Sequence, residues 1–305
     1  MPFTLRMLAY VVATADTGSV TEAARRLCVS QPSVSSAIAR VEAYLGTDIF
    51  VRHHAKGMTA TVAGQHFLNE ARHLLNHAAD FERDVSALNS NVSGEIIVGS
   101  FLTLATHYMP RILQEFSKQA PNINVRLVEG HQQDMLDGVA SGQMEIALAY
   151  AYGVPREIAG DLLAELPPYV LVSVDHPLAD RKDISLKEVA GEPFILLDLP
   201  HSRDYFFSLF AHCRITPRIA YRSQSSELIR GLVSYGHGYT IHNAVPKRNV
   251  SYNGSQVVAL RIREPLQAAQ VMCLHLRRQN LRPAVASFAR YLKYAFSSQE
   301  ILDRI

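Results

Sequence analysis

Residues 17–45, TGSVTEAARRLCVSQPSVSSAIARVEAYL, constrain the fold more tightly than any other stretch of this 305-residue chain. Ser19 followed by Glu22 has the spacing of a capping box, in which side chain and backbone satisfy each other's orphan groups at a helix start. Ala23, Ala24 and Leu27 give that helix a small apolar face, so a second helix can cross it closely. Cys28 and Val29 form a turn. Ser30 then caps a second helix, with Pro32 tolerated in its first turn. Val34, Ile38, Val41 and Leu45 recur at helical spacing and form its buried stripe. Gln31, Ser33, Ser35, Ser36 and Arg40 remain on the opposite face, where polar groups suit base edges and phosphates. The pattern is a helix-turn-helix whose second helix is shaped for a DNA major groove.

The chain is long enough for two or three domains with real cores. Its apolar fraction of 48% and charged fraction of 19% are those of a globular protein. No run of about 18 apolar residues exists, which argues against a membrane span. Arg6 is followed by helix-like sequence rather than the apolar core of a signal peptide. Cys28, Cys213 and Cys273 are odd in number and far apart, as expected of reduced thiols in a cytoplasmic protein. Residues 1–64 carry six Arg or Lys against four Asp or Glu. That small excess predicts modest, steeply salt-dependent non-specific DNA affinity, unless Arg25, Arg26, Arg40, Arg52, Lys56, His53 and His54 cluster on one face.

Three segments separate: 1–60, 61–89 and 90–305. The first adds a helix carrying Leu5, Leu8 and Val12, and a hairpin-like stretch, IFVRHHAKGMTATVAG, with a basic tip near Gly57. That stretch reads as a wing beside the recognition helix, or as a plain surface hairpin. The second segment reads as one long helix. Phe67, Ala71, Leu74, Ala78, Phe81, Val85 and Leu88 follow one another in steps of four and three, a heptad seam suited to dimerisation. Packing on its own chain is the alternative. His73 and His77 lie one helical turn apart but lack carboxylate or thiol neighbours in sequence, so solvated histidines are expected and no metal site.

From residue 93 the pattern becomes strand and helix in alternation: GEIIVGS, LATHYMPRILQEFSKQAP, INVRLVEG, QQDMLDGVASGQ and EIALAY. This is a βαβαβ unit with a mostly parallel sheet. YVLVSV, ISLKEVAG, FILLDL, SRDYFFSLFAHC, RIAYRS and SSELIRGLVSYGHGYTIH supply a second set. QVMCLHLR and PAVASFARYLKYAFS add a late strand and a final amphipathic helix.

The motifs GSVTEAARRLCVSQPSVSSAIARVEAYLG, IFVRHHAKGMTATVAG and GEIIVGS, with DHPLA, GEPFILL and GLVSYGHGYTI further on, resemble those of LysR-type transcriptional regulators. The resemblance covers essentially the whole chain and is most specific over its first 65 residues. It implies an all-α winged helix-turn-helix, a long dimerising linker helix and an α/β effector domain. That domain would comprise two Rossmann-like subdomains, as in periplasmic binding proteins, over about 93–162 with 267–300, and about 163–266. It further implies a homodimer or a homotetramer built as a dimer of dimers, bending promoter DNA, with RNA polymerase as a further partner. Gln31, Pro32, Ser33, Ser35 and Ser36 match the family's recognition-helix N-terminus, and Arg52 matches its wing arginine. At Ser36-Ala37 an Arg or Gln pair is usual, and at Ala60 a Leu, so shape readout takes a larger share of specificity here.

A small metabolite would bind between the subdomains. Ligands of open α/β sheets sit beyond the carboxyl ends of strands, where helix N-termini offer free amides. Ser100, Phe101, Leu102 and Thr103 occupy one such end, His201, Ser202 and Arg203 a second, and Ser223, Gln224, Ser225 and Ser226 a third. Hydroxyls and amides there suit an anionic, carboxylate-like effector. Each serine alone reads as a helix cap. Tyr150 and Tyr152 are expected to mark a crossover between subdomains and to line the cleft. Tyr205 and His242 are further candidates, and Arg203 and Arg222 are the available cations, each alone suited to solvent.

No nucleophile–base set, Walker motif, Rossmann fingerprint or metal motif stands in context, so neither an enzyme nor a cofactor is expected. The rival readings are a redox regulator acting through Cys213, which has no second cysteine near it in sequence, and a DNA-binding regulator that needs no ligand.

Overall fold

In a computed structural model, the residues described are 3–53, 57–86, 92–243, 250–252, 254–277 and 280–298. Helices α1 (Leu5–Thr17), α2 (Val20–Arg26) and α3 (Gln31–Leu45) precede a hairpin of β1 (Phe50–His53) and β2 (Gly57–Ala60), and α4 (Val62–Ser86) follows. Ser19 Oγ accepts the Glu22 amide, as its spacing implies. The reciprocal half of the capping box does not form, because Glu22 turns to Arg25 at 2.6 Å and the Ser19 amide donates to Thr17 Oγ1. Ser30 caps α3 by accepting from Ser33 N. Val34, Ile38 and Val41 are fully buried with Val11, Ala23, Ile49 and Leu68. Emptying such a site, as in Ile38→Ala, costs about 2–5 kcal/mol. Leu45 does not complete the stripe. It is exposed, since Gly46 ends the helix in a left-handed turn one residue later.

The hairpin is held where a wing should be. Met58 N donates to the Gly18 carbonyl at 2.8 Å, and Glu42 of α3 accepts the Ile49 and Phe50 amides at 2.9 and 3.3 Å. Gly57 is required at this approach: its φ is +83°, and a Cβ there would lie 2.5 Å from Gly18 O.

Helix α4 departs from the expected seam in its first half. Phe67 packs in the helix-turn-helix core, edge-on to Phe3, and Ala71 is buried within the chain. Leu68, outside the heptad pattern, is the deeper anchor. Leu74 and Phe81 stay exposed, and Ala78 is half-buried. His54, Lys56, Leu88 and the side chain of Val85 lie outside the described residues. His73 is not solvated: it is half-buried against the downstream domain, and burial holds its pKa down.

Beyond α4 two sheets follow. The first has the order β4-β3-β5-β13-β6, from β3 (Gly94–Phe101), β4 (Ile123–Gly130), β5 (Ile146–Tyr150), β6 (Ile158–Leu166) and β13 (Ala269–Leu276). Helices α5 (Leu102–Gln119), α6 (Gln132–Ala140) and α9 (Pro283–Ser297) cover it. Strands β3, β4 and β5 are parallel, and β13 runs antiparallel to β5 and β6. The second sheet has the order β11-β7-β12-β8, from β7 (Tyr169–Ser173), β8 (Asp183–Ile184), β11 (Thr240–His242) and β12 (Val257–Ile262). A parallel pair, β9 (Pro193–Leu197) and β10 (Arg218–Ser223), joins it through Ile195 N to Tyr239 O at 2.8 Å. Helices α7 (Ser202–His212) and α8 (Ser226–Ser234) pack on this side. ISLKEVAG supplies only part of the two-residue β8 to a strand, its Ile184.

The crossover does not fall at Tyr150–Tyr152. The chain first lays β6 along β13 in the same sheet, and passes to the second sheet only between Leu166 and Tyr169, returning between Ile262 and Ala269. One buried ion pair braces the first sheet. Arg282 Nη2 donates to Glu145 Oε2 at 2.6 Å, and Glu145 also accepts the Ile97 amide. Among the described residues, no helix is long and apolar enough to cross a membrane.

Candidate DNA face and effector cleft

Along α3, Gln31, Pro32 and Ser33 of the first turn and Ser36 and Arg40 further on are exposed, with Ser35 half-buried beside them. Arg52 and His53 are exposed on β1, and His53 Nε2 meets Thr59 Oγ1 across the hairpin at 2.8 Å. Arg25 is exposed on α2 but held by Glu22 at 2.6 Å, so it comes to a phosphate already partnered.

Between the two sheets lies a cavity of about 620 Å³, a size typical of small-ligand sites. Nine of the eleven expected effector residues line it: Phe101, Leu102, Thr103, Tyr150, Ser202, Tyr205, Gln224, Ser225 and His242. Two do not. Ser100 is fully buried in β3 with no partner for its hydroxyl among the described residues, and is absent from the lining. His201 turns to the outer rim, 3.2 Å from Gln133 Oε1 and against Gly153. Ser225 also keeps its simpler role, accepting the Leu228 amide as the cap of α8.

The cation of the cleft is Arg230, not either arginine expected from sequence. Arg203 and Arg222 are exposed and both reach Asp198, at 3.4 and 3.3 Å. Arg230 is buried on α8, one turn in from the helix start, where it donates to the Val250 carbonyl at 3.0 Å and lies 3.5 Å from Glu227. In the sequence, the residues that open this helix, Ser223 to Ser226, stand out as candidates, and Arg230 within it does not. The signal available was its position, four residues after Ser226 at a helix start. Thr106, His107, Tyr169 and Asn243 are further lining residues that the sequence did not single out.

The aromatic wall is continuous across the cleft. Tyr150 stacks on Tyr152 with centroids 5.3 Å apart, and Tyr152 stacks on Tyr205 at 5.2 Å. Burial pushes the Tyr150 hydroxyl up to about 12 and raises Tyr152 and Tyr205 as well, so all three are neutral at physiological pH. Tyr205 Oη donates to the Gln267 carbonyl at 2.9 Å and accepts from Asn243 Nδ2 at 2.8 Å. Asn243 in turn donates to the Leu166 carbonyl at 2.9 Å. Both connections between the sheets are thereby tied to cleft-lining side chains. His242 is buried, and burial, with Arg230 and His107 adding to it, depresses its pKa to about 3. Cys213 and Cys273 are buried with raised pKa values, an environment that disfavours the reactive thiolate.

Residues 5–65 match the family model for the bacterial regulatory helix-turn-helix protein of the lysR family, and residues 89–297 match the LysR substrate binding domain. The regulator YybE of Bacillus subtilis is 28% identical over 91% of this chain and 94% of its own length. The crystal structure of HinK, a LysR family transcriptional regulator from Pseudomonas aeruginosa, is 32% identical, covering 96% of this chain and 98% of its own, with a TM-score of 0.66. A full-length OxyR variant from Pseudomonas aeruginosa, 22% identical, shares the fold at a TM-score of 0.77 over 95% of each chain.

Proposed function

The chain belongs to the LysR-type transcriptional regulators, and from that premise we propose that it reads promoter DNA through α3 and the hairpin under control of a small anionic effector held between the two sheets. The observation that carries the effector reading is the convergence of two helix starts, at Thr103 and Ser225, on a cleft whose buried cation is Arg230. Helix N-termini and a desolvated guanidinium both favour a carboxylate. The working division is 1–60 for DNA, 61–89 for dimerisation through Leu74, Ala78 and Phe81, and 90–305 for the effector. Closure of the two sheets on the ligand shifts the population toward one arrangement of the assembly, and with it the spacing of the DNA-reading heads. Cys213 takes no part in this reading.

A melting-temperature screen of the full chain against acetate, pyruvate, succinate, amino acids and aromatic acids tests the effector reading. Ligand at 100 times its Kd stabilises by about 2.7 kcal/mol, enough to see as a raised Tm. Stabilisation lost in Arg230→Met supports the cleft. A panel without any stabilising acid overturns the anionic-effector reading.

A further inference from the structure

His242 Nε2 is buried on the wall of the cavity and has no hydrogen-bond partner among the described residues. Buried polar atoms in native proteins are satisfied by protein, water or ligand, so an orphan on a cavity-lining side chain is open to a bond from a bound molecule. Around it stand Arg230 from α8, His107 from α5 and Tyr169 from β7, the last at 6.4 Å ring to ring. Two of these three carry or can carry positive charge, and Glu227, the acid in the lining, is already beside Arg230.

The other face of the cavity is aromatic, lined by Phe101, Tyr108, Tyr150, Tyr152, Tyr205 and Phe206. The Tyr150–Tyr152–Tyr205 stack is near parallel, with interplanar angles of 22° and 28°. A planar ring laid along this wall extends an offset stack that already exists, which a saturated ring cannot do as well.

Resting on the anionic-effector reading, we propose that the effector is a small aromatic carboxylic acid, its ring on the tyrosine wall and its carboxylate accepting a hydrogen bond from His242 Nε2 near Arg230. Neutral His242 supplies a donor without the repulsion that a second cation would bring beside Arg230. With the imidazole neutral before and after binding, His242 itself brings no uptake of a proton between pH 6 and pH 8.

The test uses calorimetric titration of the full chain with benzoate, cyclohexanecarboxylate and benzamide at pH 6 and pH 8, in two buffers of different ionisation heat. Benzoate is expected to bind at least tenfold more tightly than either analogue. Its affinity should change by less than twofold from pH 8 to pH 6, with heat independent of the buffer, as a neutral donor requires. In His242→Leu, with a cooperative melting transition confirming the fold, benzoate affinity should fall tenfold at both pH values. Benzoate that fails to bind while pyruvate or succinate binds overturns this proposal and leaves the cleft reading standing. So does equal affinity for cyclohexanecarboxylate, or a His242→Leu affinity within twofold of the parent. If no acid binds, both fall.

Discussion

Arg72 of the linker helix reaches Asp16 of the first helix at 2.6 Å, while its other terminal nitrogen donates to the Ser141 carbonyl at 2.8 Å. One buried guanidinium thus touches the DNA-reading unit, the linker and the end of α6. Asn69, one turn earlier, donates to the Ala140 carbonyl at 2.8 Å beside it. Arg72→Ala should therefore loosen this joint rather than either unit. Faster amide exchange confined to Ala13–Thr17 and Ala140–Gly142, with a loss of about 1.5–3 kcal/mol, is the expected result. Uniform exchange across the chain would show that the contact is not a joint.

Arg52→Ala should weaken operator binding and lower the slope of log K against log salt by about one, the loss of a single phosphate contact. Titrating labelled operator at several salt concentrations reads both quantities. An unchanged slope would place the DNA face elsewhere.

Phe81 is 68% exposed on α4, a large apolar surface to leave in water. Phe81→Asp should reduce the assembly by at least one step in sedimentation, with monomer stability unchanged to within about 0.5 kcal/mol. A full-size assembly would dissolve the seam assignment.

Glu145 shares its burial with Arg282 and accepts the Ile97 amide. Glu145→Ala leaves a charge buried without its partner, so urea unfolding should show a loss of about 3–5 kcal/mol.

His242 has a folded pKa near 3 against 6.5 unfolded, so below pH 6.5 the unfolded chain binds the extra proton. Its contribution is intact above pH 6.5 and declines by about 1.4 kcal/mol per pH unit as pH falls toward 3. His73, depressed mainly by burial, acts in the same direction. Stability measured from pH 7 to pH 4.5 should fall less steeply in His242→Leu than in the parent.

The helix-turn-helix was legible because its signals are local: caps at Ser19 and Ser30, and a buried stripe that Val34, Ile38 and Val41 follow in register. The strand ends that build the cleft were legible too, since nine of eleven named side chains line it. What periodicity cannot show is which partner a face meets. Phe67 and Ala71 belong to the heptad pattern, yet the chain's own core takes them, and Leu68 off the pattern is buried deepest. Arg230 was not singled out because its acceptor, the Val250 carbonyl, lies 20 residues on and leaves no mark on the helix itself. The crossover was misplaced because β6 pairs with β13, a strand about a hundred residues later, and long-range pairing leaves no local signal.

The Tyr205 hydroxyl is at once part of the cleft wall and a bond to the Gln267 carbonyl, with Asn243 relaying it to Leu166. Under the proposed effector reading, recognition and transmission share an atom. A substitution that reshapes the wall at Tyr205 also changes the stiffness of both connections between the sheets. Altered ligand preference and altered resting output should then arrive together, whereas a change at Phe101 or Gln224 leaves the connections untouched. The path to a new effector with unchanged basal transcription accordingly runs through the first-sheet side of the cleft and the start of α8.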